Sequence, residues 1–398
     1  MSLKTAIHPG IWALAVTSFA IGVAEFIVVG VLPTIAEDLQ VSLAAAGKLV
    51  GLYALALAIG TPLAVLSLAR LPRKAVLLGL VTVFLAGNVL SALSGNYSTL
   101  LIGRIVTAVA HGSFFAIGAT VAAQLAPQGQ TGRAIALMFS GLTLAMVIGV
   151  PLGSLIGNGM GWRLPFYAVA LLSAIALAAT AIWVPKLSVS SAGKASTQLS
   201  ALFQPAILAM MSITILGFGA SFTAFTFITP ILTGITGFSS QTASLLLIVF
   251  GIATLIGNQL GGKLTVTMGW SSALHRMLAL LMITLVLLAI SLPYRLPMII
   301  LLFIWGMLAF GMSPGFQAGM LSTAERWTPK AVDFASALNI SAFNLGITLG
   351  ETLGSAMVVR EHMALTPWIG VVLVILAQIP LFWLNARCAK KPSQTSYR

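Results

Sequence analysis

Four ionisable side chains lie inside stretches otherwise built from apolar residues: Glu25, Arg104, His111 and Glu351. Glu25 interrupts TSFAIGVAEFIVVGVLP (Thr17–Pro33), a run suited to hydrocarbon. An ionisable group at the centre of such a helix costs at least ~2.5–3.5 kcal/mol on insertion scales, so these groups face an interior path and mark ion or substrate traffic. An acid, a base and an imidazole in one apolar setting are the parts needed to bind and release a proton.

Glu25 lies eight residues before Pro33, at the end of the first run, and so roughly 12 Å below that boundary at 1.5 Å per residue. Arg104 lies about six residues into the fourth run, roughly 9 Å deep by the same rise. The two can therefore meet. Pairing favours the ionised acid, and isolation in low dielectric favours the neutral one. Proton affinity that depends on conformation would let Glu25 load on one side and unload on the other. Two other readings remain open: a static Glu25–Arg104 brace, and direct contact with a substrate. His111, seven residues beyond Arg104, shares its helix face. It is either a proton relay, as an imidazole with an ordinary pKa near 6.5 can be, or a neutral hydrogen-bonded spacer. Glu351 is a second proton site, a contact for a cationic substrate, or a residue at a wet mouth with no transport role; Asn344 shares its face.

Tyr53, Phe114, Phe115, Phe222, Phe225, Trp305 and Phe310 are candidate walls of a substrate cavity, with Asn258, Gln317 and Asn344 as hydrogen-bonding groups. Such apolar, aromatic sites suit amphipathic small molecules, although packing against lipid or core would explain any single aromatic. Gly149, Pro151, Gly153, Gly350 and Gly354 allow close helix approach and a kink. They are expected to be structural, with a gating role where helices of two halves slide.

These residues need elements to hold them. Of 398 residues 59% are hydrophobic and 7% charged, against about 25% charged in soluble domains, and the mean hydropathy is +1.06. Twelve runs are long enough to span a bilayer: near 11–33, 43–69, 75–94, 98–124, 133–157, 163–185, 206–232, 241–265, 272–292, 297–321, 332–358 and 364–386. No cleavable leader is read in MSLKTAIHPG, so the first run is expected to stay as an anchor. The Ser- and Ala-rich stretch Pro185–Pro205 reads as a linker dividing the runs six and six.

The net charge of +13 does not signal nucleic acid, because the cations sit in short loops. With the N-terminus cytoplasmic, that side receives Lys4, Arg70, Arg73, Lys74, Arg133, Lys186, Lys194, Lys263, Arg276, Arg326, Lys330, Arg387, Lys390, Lys391 and Arg398. The other side receives Lys48, Arg163, Arg295 and Arg360. The positive-inside bias places both termini in the cytoplasm. Glu37 and Asp38, in the first outer loop, are expected to be solvated. Cys388, the single Cys, excludes a disulfide framework or a thiolate metal site. No phosphate loop, zinc cluster or Ser-His-Asp arrangement is recognisable, so neither ATP nor a metal or other cofactor is expected.

An internal repeat runs through the chain. ALMFSGLTLAMVIGVPLGS (Ala136–Ser154) aligns without gaps with ALNISAFNLGITLGETLGS (Ala337–Ser355), matching Gly149, Gly153 and Ser154 to Gly350, Gly354 and Ser355, and Val150 to Glu351. AIGTPL (Ala58–Leu63) parallels LIGNQL (Leu255–Leu260), and AHGSFFAIG (Ala110–Gly118) parallels AFGMSPGFQ (Ala309–Gln317). Six spans per copy keep both copies in one orientation, a parallel repeat.

The stretch AEFIVVGVLPTIAEDLQVSLAAAGKLVGLYALALAIGTPL resembles the start of major facilitator superfamily proteins. It is most similar to the drug/proton antiporter branch that holds sugar-efflux, arabinose-efflux, purine-nucleoside-efflux and chloramphenicol-resistance proteins. LLIGRIVTAVAHGSFFAIGATVA looks like that superfamily's fourth-helix motif, with Arg104 as its buried Arg. AMVIGVPLGSLIG looks like the antiporter motif of the fifth helix, here with Val150 between Gly149 and Pro151, and GWRLPFY (Gly161–Tyr167) like the start of the sixth. The loop motif G-x-L-x-D-R-x-G-R-R stands here as VLSLARLPRK (Val65–Lys74), with Ala69 at the Asp position. Its second-half copy, GKLTVTMG (Gly262–Gly269), has Val266 there, so the charge-based latch of the motif does not carry over.

The resemblance implies an all-α membrane protein of twelve transmembrane helices in two six-helix bundles (1–185 and 206–398, linker 186–205) related by pseudo-two-fold symmetry. It implies a monomer that exports sugar-like solutes, nucleosides or amphipathic drugs by proton antiport across a bacterial inner membrane. Glu25, Arg104 and His111 would couple protons. Partners are then the small molecule, protons and the bilayer, and no nucleic acid. The rivals are a proton-independent uniporter or importer of the same fold, a non-transporting membrane sensor, and a membrane enzyme, for which the ionisable residues are too scattered.

Overall fold

A computed structural model describes residues 7–68, 71–127, 131–187 and 199–390, without the side chains of Val65, 131–133, Asp333 and 388–390. Lys4, Ala69, Arg70, Lys194, Lys391, Arg398 and most of the linker lie outside the described residues, as do the side chains of Arg133, Cys388 and Lys390. Twelve helices among the described residues are long and apolar enough to cross a membrane. They are α1 Pro9–Asp38, α2 Leu43–Leu68, α3 Arg73–Ala92, α4 Tyr97–Leu125, α5 Ala134–Met160 and α6 Arg163–Trp183, then α7 Pro205–Phe225, α8 Ser240–Met268, α9 Trp270–Ser291, α10 Arg295–Trp327, α11 Phe334–Val359 and α12 Met363–Arg387. Helices are required because no water inside a bilayer can satisfy a free backbone group.

Prolines set the interruptions, since each removes an N–H and crowds the preceding turn. In α1 the backbone leaves helical geometry at Val31 (φ −117°, ψ 16°), two residues before Pro33. The seventh run was expected to continue to 232, but α7 ends at Phe225. The chain breaks at Phe227 (φ −105°, ψ 18°) ahead of Pro230, then resumes as a short turn and a π-turn over Ile231–Ile235. The repeat therefore shows in backbone angles as well as in residue types. In α5 a π-turn, Ala145–Gly149, precedes Pro151 and absorbs the missing donor.

Two compact units emerge, Met1–Ala192 with Ser240–Ile248, and Gly193–Ser239 with Val249–Arg398. The division differs from the expected halves in taking the start of α8 with the first unit. Ser244 accounts for this: its hydroxyl lies 2.8 Å from Ser154 Oγ and accepts from Asn158 Nδ2 at 3.2 Å.

In the first unit α1 is central and packs on α2, α4, α5 and α6. Small residues four apart on α5 mesh with α1, as i±4 ridges do. A methyl added at Gly149 would strike Val23, one at Gly153 Ile27, and one at Gly157 Val31. In the second unit α7 packs on α11 and α12. Gly346, Gly350 and Gly354 of α11 lie directly on the α7 backbone at Ile215, Gly219 and Thr223. Each glycine stripe thus joins helices of its own unit.

Candidate functional site

The site in the first unit is assembled from α1, α2 and α4. From Ala20 to Leu32 every residue of α1 is buried except Glu25, which is half-buried. In a helix enclosed by four neighbours, that single opening lies at the one acid. Arg104 on α4 reaches α1 at the same level, as the depth argument expected, but it does not take the carboxylate. Its guanidinium donates to the backbone carbonyl of Ala24 and, at 3.2 Å, to that of Glu25. No described cation lies within ion-pair distance of the Glu25 carboxylate, and no described residue hydrogen-bonds it. Arg104 thus ties α4 to the main chain of α1, without the Glu25 side chain.

The Arg104 cation is 1% exposed, so its charge needs compensation from within the protein. Besides the carbonyls it has the face of Tyr53 on α2, with Cζ 3.9 Å from the ring centroid, a cation–π contact. Its Nε is buried with no partner. The Tyr53 hydroxyl shares a 2.9 Å hydrogen bond with Nδ1 of His111, and the His111 tautomer decides which atom donates. Nε2 of His111 makes no hydrogen bond to a described residue. Phe115 meets the imidazole edge-on at 5.2 Å, and Phe114 and Phe139 continue the aromatic layer. Arg104, Tyr53 and His111 therefore form one contiguous chain beside Glu25. Sequence reasoning placed Arg104 and His111 on one face but read Tyr53 only as a wall. A tyrosine in an apolar run carries no signal that distinguishes the two roles.

In the second unit the expected wall residues Phe222, Phe225 and Trp305 are buried and pack on one another, with Phe250 stacked on Phe225 at 4.5 Å. Phe310 is half-buried against Phe218 and Phe250. Asn258 is exposed. Asn344 donates to the Ile340 carbonyl, while its Oδ1 is buried without a partner; Trp305 Nε1 is likewise unpartnered. Glu351 is buried and accepts the Ser355 hydroxyl at 2.6 Å.

Gln317 belongs to a polar chain that sequence reasoning missed. Thr214 of α7 donates to Asn339 Oδ1, Asn339 Nδ2 to Gln317 Oε1, and Gln317 Nε2 to Ser336 Oγ, at 2.9, 2.8 and 2.7 Å. A second missed cluster joins α9 to α12: His275 bonds Gln378 and Asn385, which also accepts the Ser271 hydroxyl. Uncharged polar residues within apolar runs were the available signal for both. Asp38 is exposed, as expected, and it also has partners. Its Oδ2 accepts from Arg163 Nη1 at 2.7 Å and from Trp162 Nε1 at 3.0 Å, which ties the end of α1 to the start of α6.

The Major Facilitator Superfamily model matches residues 14–324. The chain belongs to the Major Facilitator Superfamily. It is 40% identical over 376 residues to YtbD, an uncharacterized MFS-type transporter of Bacillus subtilis (strain 168), covering 94% of this chain and 95% of that protein. It is 35% identical, with the same coverage, to the inner membrane transport protein YdhP of Escherichia coli (strain K12). Among solved structures it resembles a bacterial homologue of the human lysosomal transporter Spinster. That likeness has a TM-score of 0.79 at 15% identity over 99% of this chain and 100% of that one, and bears on the fold. This Major Facilitator Superfamily member is a multi-pass membrane transporter with the fold of that superfamily.

Proposed function

We propose that the transporter exports small molecules in exchange for protons by alternating access, with Glu25 as the coupling acid. The observation that carries this reading is the enclosed Ala20–Leu32 stretch of α1, whose one opening falls at Glu25 while Arg104 is satisfied by carbonyls and an aromatic face. The carboxylate is free to gain or lose a proton, and the adjacent cation can move to it when it ionises. Tyr53 links Arg104 to His111, which holds a free ring nitrogen and serves as the relay. Both termini are cytoplasmic in a bacterial inner membrane, by the loop charges. The cargo is a sugar-like solute, a nucleoside or an amphipathic drug; the candidate contacts are Tyr53 and Phe115 in the first unit and, in the second, its aromatic residues with Asn258, Gln317, Asn344 and Glu351. The unpartnered acceptor of Asn344 and donor of Trp305 suit a ligand bearing hydroxyl or amide groups. The Gly149–Pro151–Gly153 segment and Gly350 and Gly354 let helices shift as the gates change.

Reconstituted vesicles carrying a lumenal pH indicator test this with a panel of sugars, nucleosides and chloramphenicol-like antibiotics. At least one should drive proton movement in the wild type and none in Glu25→Gln. Substrate flux that is independent of the proton gradient and intact in Glu25→Gln would instead establish a uniporter or importer.

A further inference from the structure

We propose that the first turn of α3 binds the phosphate of an anionic phospholipid headgroup. Arg73, the first residue of α3, is 8% exposed. Its Nε is buried without a partner, and its guanidinium makes no hydrogen bond to a described residue. Helical side chains lean toward the N-terminus, so this cation lies over the free N–H groups of its own first turn. That turn has neither a capping side chain nor an acidic residue, since Pro72 precedes it. The open end of a helix attracts anions, and the buried, unpartnered Nε of Arg73 adds a donor beside it. Arg73 and the α3 terminus therefore present two donor sets to one anion, and a guanidinium fork matches phosphate geometry.

The first unit places no acid beside these donors. The acids of the first unit are Glu25, Glu37 and Asp38, all on α1. With α2 running antiparallel between them, α3 begins at the Pro9 end of α1. Glu25, the nearest of the three, lies roughly 24 Å along the axis at 1.5 Å per residue. The neighbours are instead basic. Lys74 donates to the Ala181 carbonyl near the end of α6 at 2.7 Å, and Lys186 is exposed just beyond. Lys74 is committed to that carbonyl, so Arg73 carries the recognition.

The position selects a lipid over a soluble ion. The 20 residues of α3 span roughly the 30 Å of a hydrocarbon core, which sets Arg73 at headgroup level. Leu71, exposed next to it, suits an acyl chain.

Native mass spectrometry of the purified full chain in detergent, with phosphatidylglycerol or phosphatidylcholine added, tests it. The wild type should retain phosphatidylglycerol in preference to phosphatidylcholine. Arg73→Gln should weaken that retention by roughly tenfold, about the loss of one hydrogen bond to a charged group. Arg360→Gln, which removes an exposed cation elsewhere, should not. If Arg73→Gln does not fold, Arg73→Lys serves, keeping the charge and losing the fork, with a severalfold loss expected. Equal retention of the two lipids by the wild type, or undiminished phosphatidylglycerol binding by either Arg73 variant, overturns the proposal. So does complete displacement by millimolar inorganic phosphate, which would make the site one for a free anion.

Discussion

The Tyr53–His111 contact permits a quantitative test of the chain beside Glu25. Tyr53→Phe removes one hydroxyl and keeps the ring under Arg104, so the cation–π contact at 3.9 Å survives. The 2.9 Å hydrogen bond to His111 is lost, and His111, buried between Tyr53 and Phe115, is left with an unpaired ring nitrogen. Orphaning a buried polar atom costs about 1–3 kcal/mol, and that is the expected destabilisation. His111→Phe added to Tyr53→Phe removes both polar partners and places an aromatic ring against Phe115. Replacing both partners by apolar groups is close to neutral, so the double variant should be more stable than Tyr53→Phe alone. Unfolding free energies of the wild type, both single variants and the double variant, measured in detergent, give the interaction term. Additive losses would refute the coupling, as would a Tyr53→Phe protein as stable as the wild type. Proton-driven exchange by Tyr53→Phe should be slowed without being abolished, since Glu25 is untouched.

Packing and polarity give three further tests. A methyl at Gly350 would fall on the Gly219 carbonyl and 2.9 Å from Phe222 Cβ, so Gly350→Ala should destabilise by about 1–3 kcal/mol. Gly79→Ala, with nothing within 4 Å of the added carbon, should be neutral or stabilising by up to ~1 kcal/mol in the same unfolding assay. Asn344→Leu removes a buried acceptor that has no partner, and should leave stability unchanged or raise it by about 1 kcal/mol. The same variant should weaken substrate binding in a titration, as expected where a site residue is kept at a cost in stability.

The helices were legible because their signal is bulk composition. A run of about 20 apolar residues has one stable fate in lipid, and the spans begin and end close to where the loops carry charge. The breaks at Val31 and Phe227 follow from Pro33 and Pro230 by local chemistry. The site was legible in part. Burial of charge in oil singled out Glu25, Arg104 and His111, and helical rise placed the first two at one depth. The partner of Arg104 was not legible, because it is the main chain of α1, and every residue has a carbonyl. The partners of Asp38 were not legible, because Trp162 and Arg163, which reach it, are more than a hundred residues away in the chain.

Composition, loop charges and the repeat thus determined a twelve-span helical membrane protein and singled out its buried ionisable residues, since both depend on side-chain transfer energies and helix periodicity. Only the packed structure decided which groups meet: Arg104 on carbonyls and the Tyr53 ring, His111 on the Tyr53 hydroxyl, and each glycine stripe on its own neighbour. Such contacts depend on the rotation and close approach of helices distant in sequence. Small residues permit many such arrangements, and the fold selects one.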